Sequence, residues 1–224
     1  MKEKGKRTLQ NFVVLTADVR DIESQKDETG RESTQAMATI DMGVGKPALP
    51  LHVIAQNGCS AKLAPGRFTL LGRLGCREEQ LNGVNFIEIL LLPSRIEALP
   101  ADGRMQNYAC LTLRLGQDAE SRTTSNGRLW ARVNAALSQG RNDDDLYRPS
   151  LWFTLKAFTN REGNANVPQS LGALHKGDLV TVIGRFAYEI YHDQPQLNLI
   201  VFRVEPLPAV FADQPQSRQA VVAV

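Results

Sequence analysis

Phe68-Thr-Leu-Leu-Gly72-Arg73-Leu74 and Leu179-Val-Thr-Val-Ile-Gly184-Arg185-Phe186 are two versions of one segment. Each follows a glycine with a charged neighbour, Gly66-Arg67 in one case and Gly177-Asp178 in the other. A second pair matches downstream, the run from Phe86 through Arg95 and Glu97 against the run from Leu197 through Arg203 and Glu205. Self-similarity at an offset of about 110 residues, within a chain of 224, means two tandem copies of one unit, each large enough to bury its own core. The expected division is 8–99 for the first copy, 105–208 for the second and 209–224 for a short flexible tail. The linker between the copies, Leu99-Pro-Ala-Asp-Gly-Arg104, is rich in turn formers and too short to let them move far apart.

Almost no segment carries helical periodicity. Short β-rich runs alternate with Gly, Asn, Asp and Pro clusters, which argues for an all-β chain built from small barrels. The second copy reads as strands 108–115, 129–137 and 151–159, a short helix over 167–175 stopped at Gly177, and strands 179–191 and 197–204. Five strands with one helix between the third and fourth is the order of an OB-fold barrel, so the chain is expected to hold two.

The heptad Trp152-Phe-Thr-Leu-Lys-Ala-Phe158 splits by strand alternation into two faces. Phe153, Leu155 and Ala157 make an ordinary core face. Trp152, Thr154, Lys156 and Phe158 place two flat rings on either side of a cation, which suits the stacking of bases and the attraction of phosphates. The alternative is a strand buried on both faces, with Lys156 reaching past its neighbours to water. On 129–137 the non-core face carries Trp130, Arg132 and Asn134, again a ring beside a cation; Trp130 read alone also suits a ring covering a barrel end.

Net charge is +2, from 26 basic and 24 acidic side chains, so polyanion binding must come from a local groove and not a global field. Cys59, Cys76 and Cys110 lack zinc-ligand spacing and read as reduced thiols of a cytoplasmic protein. The apolar run 12–17 is too short for a signal-peptide core, and no stretch approaches the length of a membrane span. His52, His175 and His192 form no metal or catalytic motif. Gly43-Val-Gly45-Lys46-Pro47 looks like a phosphate loop but lacks its first glycine and its hydroxyl, so it reads as an inter-strand loop. No catalytic function and no cofactor is expected.

Over about 100 residues the second copy resembles the bacterial single-stranded DNA-binding protein family. The residues that carry the resemblance are Leu113 through Arg122, Asn126-Gly127, Trp152 with Phe158, and Leu174-His-Lys176-Gly177 through Gly184-Arg185. The first copy is similar only in spacing and in Gly72-Arg73. The resemblance implies sequence-independent wrapping of single-stranded DNA in replication, recombination or repair. It matches Trp152 and Phe158 to base-stacking positions and Tyr191, in the hairpin after the fourth strand, to a third; a hairpin Tyr capping the barrel is the alternative there. Lys156 and Arg185 would meet phosphates, with Arg122 and Arg132 as weaker candidates. A homodimer would supply the four barrels typical of the family.

Three departures from the family are visible. Residues 139–145 carry Asp143-Asp-Asp145 where an aromatic is usual, with Tyr147 a substitute, so this hairpin is expected to face away from a phosphate path. Trp130 replaces a smaller residue. The segment 211–224 holds one acid, Asp213, and ends in Val-Val-Ala-Val, which puts recruitment of partner proteins through an acidic tip in doubt. Where the second copy has Trp152 and Phe158, the first is expected to have Leu51 or His52 and then Asn57 or Gly58, hence no stacking groups. The rival readings are an OB protein used for protein contacts, as in replication restart, and a binder of RNA, since nothing in the sequence reads a 2′-OH.

Overall fold

The computed structural model describes residues 9–26, 32–81, 83–100, 102–140, 149–191 and 194–208. The first copy forms β1 (Asn11–Lys26), β2 (Glu32–Ile40), β3 (Leu49–Gln56), a 3-10 turn (Asn57–Lys62), β4 (Gly66–Leu81) and β5 (Val84–Ala98). The second forms β6 (Asn107–Leu115), β7 (Glu120–Thr123), β8 (Leu129–Leu137), β9 (Leu151–Phe158), α1 (Asn166–Gly172), β10 (Leu179–Tyr191) and β11 (Gln194–Pro206). Pairings close two circuits, β1-β2-β3-β5-β4-β1 and β6-β8-β9-β11-β10-β6, each with a single parallel pair, β3–β5 and β9–β11. This is the OB order in both halves. Antiparallel pairing of β1 with β6 joins them into one eleven-stranded sheet.

Alternation drives both cores. Val13, Leu15, Leu51, Val53, Leu70 and Leu91 fill the first interior, and Leu111, Leu113, Val133, Leu155, Val182 and Leu199 the second. Phe153 and Phe186 add a tilted ring pair with centroids 6.1 Å apart in the second. Each unit bends its fourth strand at the repeated glycine, where a bulge interrupts the pairing with the fifth. A Cβ there would stand 2.3 Å from a backbone carbonyl oxygen, that of Leu92 at Gly72 and of Ile200 at Gly184, so only glycine fits.

An asparagine clamp recurs at the same place. Asn11 Nδ2 donates to the Leu74 carbonyl at 2.8 Å and its Oδ1 accepts from Leu74 N at 3.0 Å. Asn107 makes the same two bonds to Phe186, at 3.0 and 2.8 Å. The clamp satisfies the backbone where the first and fourth strands part. The β1–β6 ladder is itself symmetric: Val13 and Ala109, equivalent in their own units, pair with one another, so a local two-fold passes between the halves.

The structure corrects three expectations. β7, four residues long, was not anticipated; charge and short length hide it. The helix spans Asn166–Gly172 and ends before His175, while Gly177 (φ 92°) sits in the following turn and donates its N–H to Leu115 O at 2.9 Å. The unit-to-unit offset also drifts, from 96 between Asn11 and Asn107 to 102 between Leu49 and Leu151 and 112 between Gly72 and Gly184. Because β3 and β9 share one in–out pattern from first to last residue, the counterparts of Trp152 and Phe158 are Pro50 and Gln56, and neither register considered from the sequence is right. Among the described residues no helix is long and apolar enough to cross a membrane.

Candidate nucleic-acid interface

The outward face of the second unit is organised in rungs, because residues paired across strands lie on one side of the sheet. One rung is Arg122 on β7, Trp130 on β8 and Phe158 on β9. The next runs over five strands: Glu120, Arg132, Lys156, Ile200 and Arg185. A third holds Asn134, Thr154, Asn198 and Ala187, with Thr154 Oγ1 donating to Asn134 Oδ1 at 3.0 Å. Trp152, opposite Ala136, closes the ladder. Rings therefore flank a cationic rung and a polar one, with Trp152 and Phe158 about 20 Å apart along the strand. Trp152 is 55% exposed and Phe158 50%, which rules out a strand buried on both faces.

Trp152 has a prepared seat. A Cβ on Gly116 would lie 2.6 Å from Trp152 Cζ3 and 2.9 Å from Cη2, so the ring rests on bare glycine backbone. Trp130 is partly buried, with the Arg132 guanidinium carbon 5.9 Å from its ring centroid. It therefore belongs to the face and is not only a barrel-end cover.

The cations are less free than the sequence implies. Lys156 Nζ donates to Glu189 Oε2 at 2.9 Å, and Asn198 Nδ2 donates to the same oxygen at 3.1 Å. The Lys156 hydrogen bond holds the Glu189 carboxyl below the ordinary carboxylate range, against the opposing effect of burial. Arg132 donates from Nε to Glu120 Oε2 at 3.1 Å, and Arg122 Nη2 lies 3.7 Å from that oxygen. Arg185 is exposed. Beside it is Lys46, from the loop between β2 and β3 of the other unit: Met42, Lys46, Arg185, Tyr188 and Glu189 line one crevice. The segment that resembles a phosphate loop is thus a turn, closed by Lys46 N to Gly43 O at 3.1 Å, that carries a cation to the neighbouring barrel. The reciprocal loop returns the contact, since Cys76 Sγ donates to Pro149 O at 3.2 Å and Gln139 lies beside Gly75.

Tyr191 pairs with Gln194 at the hairpin end; its side chain, like residues 141–148 with their aspartates and Tyr147 and the segment 209–224, lies outside the described residues. Sequence reasoning missed Lys46, Phe86 and Phe202. Phe202 is 52% exposed, two residues beyond Ile200 on β11, and alternation from buried Leu199 and Val201 points to it. Phe86, 43% exposed on β5, adds a ring to the first unit, although the counterparts of Trp152 and Phe158, Pro50 and Gln56, carry none. It lines a cleft together with Trp152.

The equivalent face of the first unit is otherwise polar and aliphatic: Gln35 pairs with Ile54, and Met37 with His52. His52 Nδ1 lies 3.0 Å from Glu88 Oε1 and its Nε2 3.1 Å from Gln35 Oε1, while Arg77 Nε donates to Glu88 Oε2 at 2.6 Å. Arg73, Lys62 and Arg95 border a groove of about 670 Å3 on this unit, with Gln56 and Ser94.

No protein-family model matches the chain, and no curated protein matches it. Among solved structures, the single-stranded DNA binding protein from Thermus aquaticus is similar over 96% of this chain and 98% of its own, with a TM-score of 0.57 and 19% identity. A deletion variant of the same protein gives a TM-score of 0.56. A small single-stranded DNA-binding protein from Streptomyces coelicolor is similar over 47% of this chain, with a TM-score of 0.37 and 19% identity. The resemblance read in the second copy is therefore matched at the level of fold along nearly the whole chain, which shares the architecture of a bacterial single-stranded DNA-binding protein.

Proposed function

We propose that the chain binds single-stranded DNA without sequence preference, serving its protection in replication, recombination or repair, and that it is not an enzyme. The observation that carries this is the ladder on β7, β8, β9, β11 and β10, where rings at both ends enclose a cationic rung. Bases stack on Trp152, Phe158 and Trp130, with Tyr191 as a further ring at the hairpin. Arg185, Arg132, Arg122 and Lys156 face the phosphates, Lys156 exchanging Glu189 for a phosphate oxygen. Base stacking contributes roughly 1–3 kcal/mol per base, so three rings account for much of one barrel's affinity. The unit over 105–208 is the principal binder and that over 8–99 completes the assembly.

The protein acts as a homodimer presenting four such units. The outer face of β4, β1, β6 and β10 supports this: Leu71, Val14 and Tyr108 form one row and Phe12, Cys110 and Ile183 its two-fold mate, a self-complementary apolar strip. Ion pairs Arg95–Glu97 and Arg203–Glu205 flank it. Sedimentation at micromolar concentration is expected to give twice the chain mass; a monomer would refute the dimer. For the binding face, Trp152→Ala and Phe158→Ala, each assayed by anisotropy of labelled oligo-dT, are expected to weaken binding about 5- to 150-fold. Wild-type affinity in both variants would remove the face from the reading.

A further inference from the structure

A cleft of about 420 Å3 opens between the two units, and Trp152 forms part of its wall. Tyr188 stands with Trp152 on the second unit's side; Met37, Phe86 and Ile87 face them from the first. The local two-fold makes Phe86 more than a stray ring. Its rung, Glu79 with Phe86, is the counterpart of Tyr191 with Gln194, each seven residues beyond the bulge glycine on the fourth strand. Both hairpins thus carry one aromatic at the same level, on opposite strands.

The geometry points to this cleft as a nucleobase pocket shared by the two barrels, in which one unpaired base of the bound strand inserts between Trp152 and Phe86. The inference rests on the single-stranded DNA reading and extends it to a site to which the first unit contributes directly. A base is flat and apolar on its faces and polar at its edges. The walls supply flat rings, and His52, oriented by Gln35 and Glu88, supplies a polar flank. Arg77 is shared between Glu88, at 2.6 Å, and Glu79, at 2.7 Å, so it offsets one of the two negative charges on this flank. Trp152 belongs to the ladder and to the cleft together, so the strand passes from one to the other without a gap.

The test uses the full chain with oligo-dT and the variants Phe86→Ala and Phe86→Trp. Phe86→Ala is expected to weaken binding about 5- to 150-fold, the loss of one stacked base. Phe86→Trp is expected to bind more tightly than Phe86→Ala and to show oligo-dT quenching beyond that of Trp130 and Trp152 in wild type, which guards against a folding defect in the alanine variant. Unchanged affinity in Phe86→Ala, or a Phe86→Trp variant that binds with no quenching beyond that of wild type, overturns the pocket while leaving the ladder intact. If wild type itself fails to bind, the underlying reading falls instead. If the fluorescence that Phe86→Trp adds to wild type responds to deletion of 209–224 and not to oligo-dT, the cleft holds the chain's own end and the inference is wrong.

Discussion

Gly116→Ala separates the seat of Trp152 from the stability of the barrel. The new methyl would lie 2.6 Å from Trp152 Cζ3 and 2.9 Å from Cη2. Carbon atoms settle at about 3.5–4.0 Å, so the ring edge must retreat by about 1 Å. What yields is the far end of a side chain already 55% exposed, not backbone. The cost to folding therefore stays below the roughly 1–3 kcal/mol of overpacking in a closed core, and lower unfolded-state entropy offsets part of it. Binding loses more, because a tilted ring no longer lies flat against a base: we expect at least about half of the free energy lost in Trp152→Ala, itself about 1–3 kcal/mol. Titration with oligo-dT, paired with urea denaturation, reads both quantities. Wild-type affinity in Gly116→Ala beside weakened Trp152→Ala would refute the argument that the glycine seats the ring.

Glu189→Gln releases Lys156 to the phosphates, and binding is expected to tighten by up to about 5-fold, the competition expected of a part-exposed ion pair. Because Lys156 meets a phosphate in both proteins, titration against salt should show a similar slope in the variant, with the gain in affinity present at each salt concentration. Stability should also depend on Glu189 in acid. Its folded-state carboxyl titrates below the ordinary value of 4.5, so its contribution is present above that pH and lost as pH falls through the depressed value. Denaturation midpoints between pH 7 and pH 3 should fall more steeply in wild type than in Glu189→Gln; parallel curves would contradict this. Asn11→Ala and Asn107→Ala each strip two hydrogen bonds from a part-buried backbone pair, and each should cost about 1–3 kcal/mol in urea denaturation, by similar amounts.

The strands and the β9 face were readable because both rest on alternation, a local signal. Trp152, Lys156 and Phe158 lie on one strand, so their shared side follows from period two alone. Partners that meet across strands were not readable. Glu189 reaches Lys156 over 33 residues of sequence, and Glu120 reaches Arg132 from a strand too short and too charged to announce itself. The first unit's register failed for another reason: loops of unequal length shift the repeat offset by six residues between β1/β6 and β3/β9, and counting from the glycine repeat cannot detect that. Lys46 and Phe86 gained meaning only once β1–β6 pairing had set the two units side by side.

The central claim is that the ladder stacks unpaired bases. Trp130 and Trp152 are the only two tryptophans, and both lie on that ladder, so intrinsic fluorescence reports it without a label. Titration with oligo-dT at low salt, against duplex DNA of equal length, is expected to give saturable quenching by the single strand and little change from the duplex. Constant fluorescence with both ligands, and no binding, would contradict the account and leave a protein-interaction module in its place.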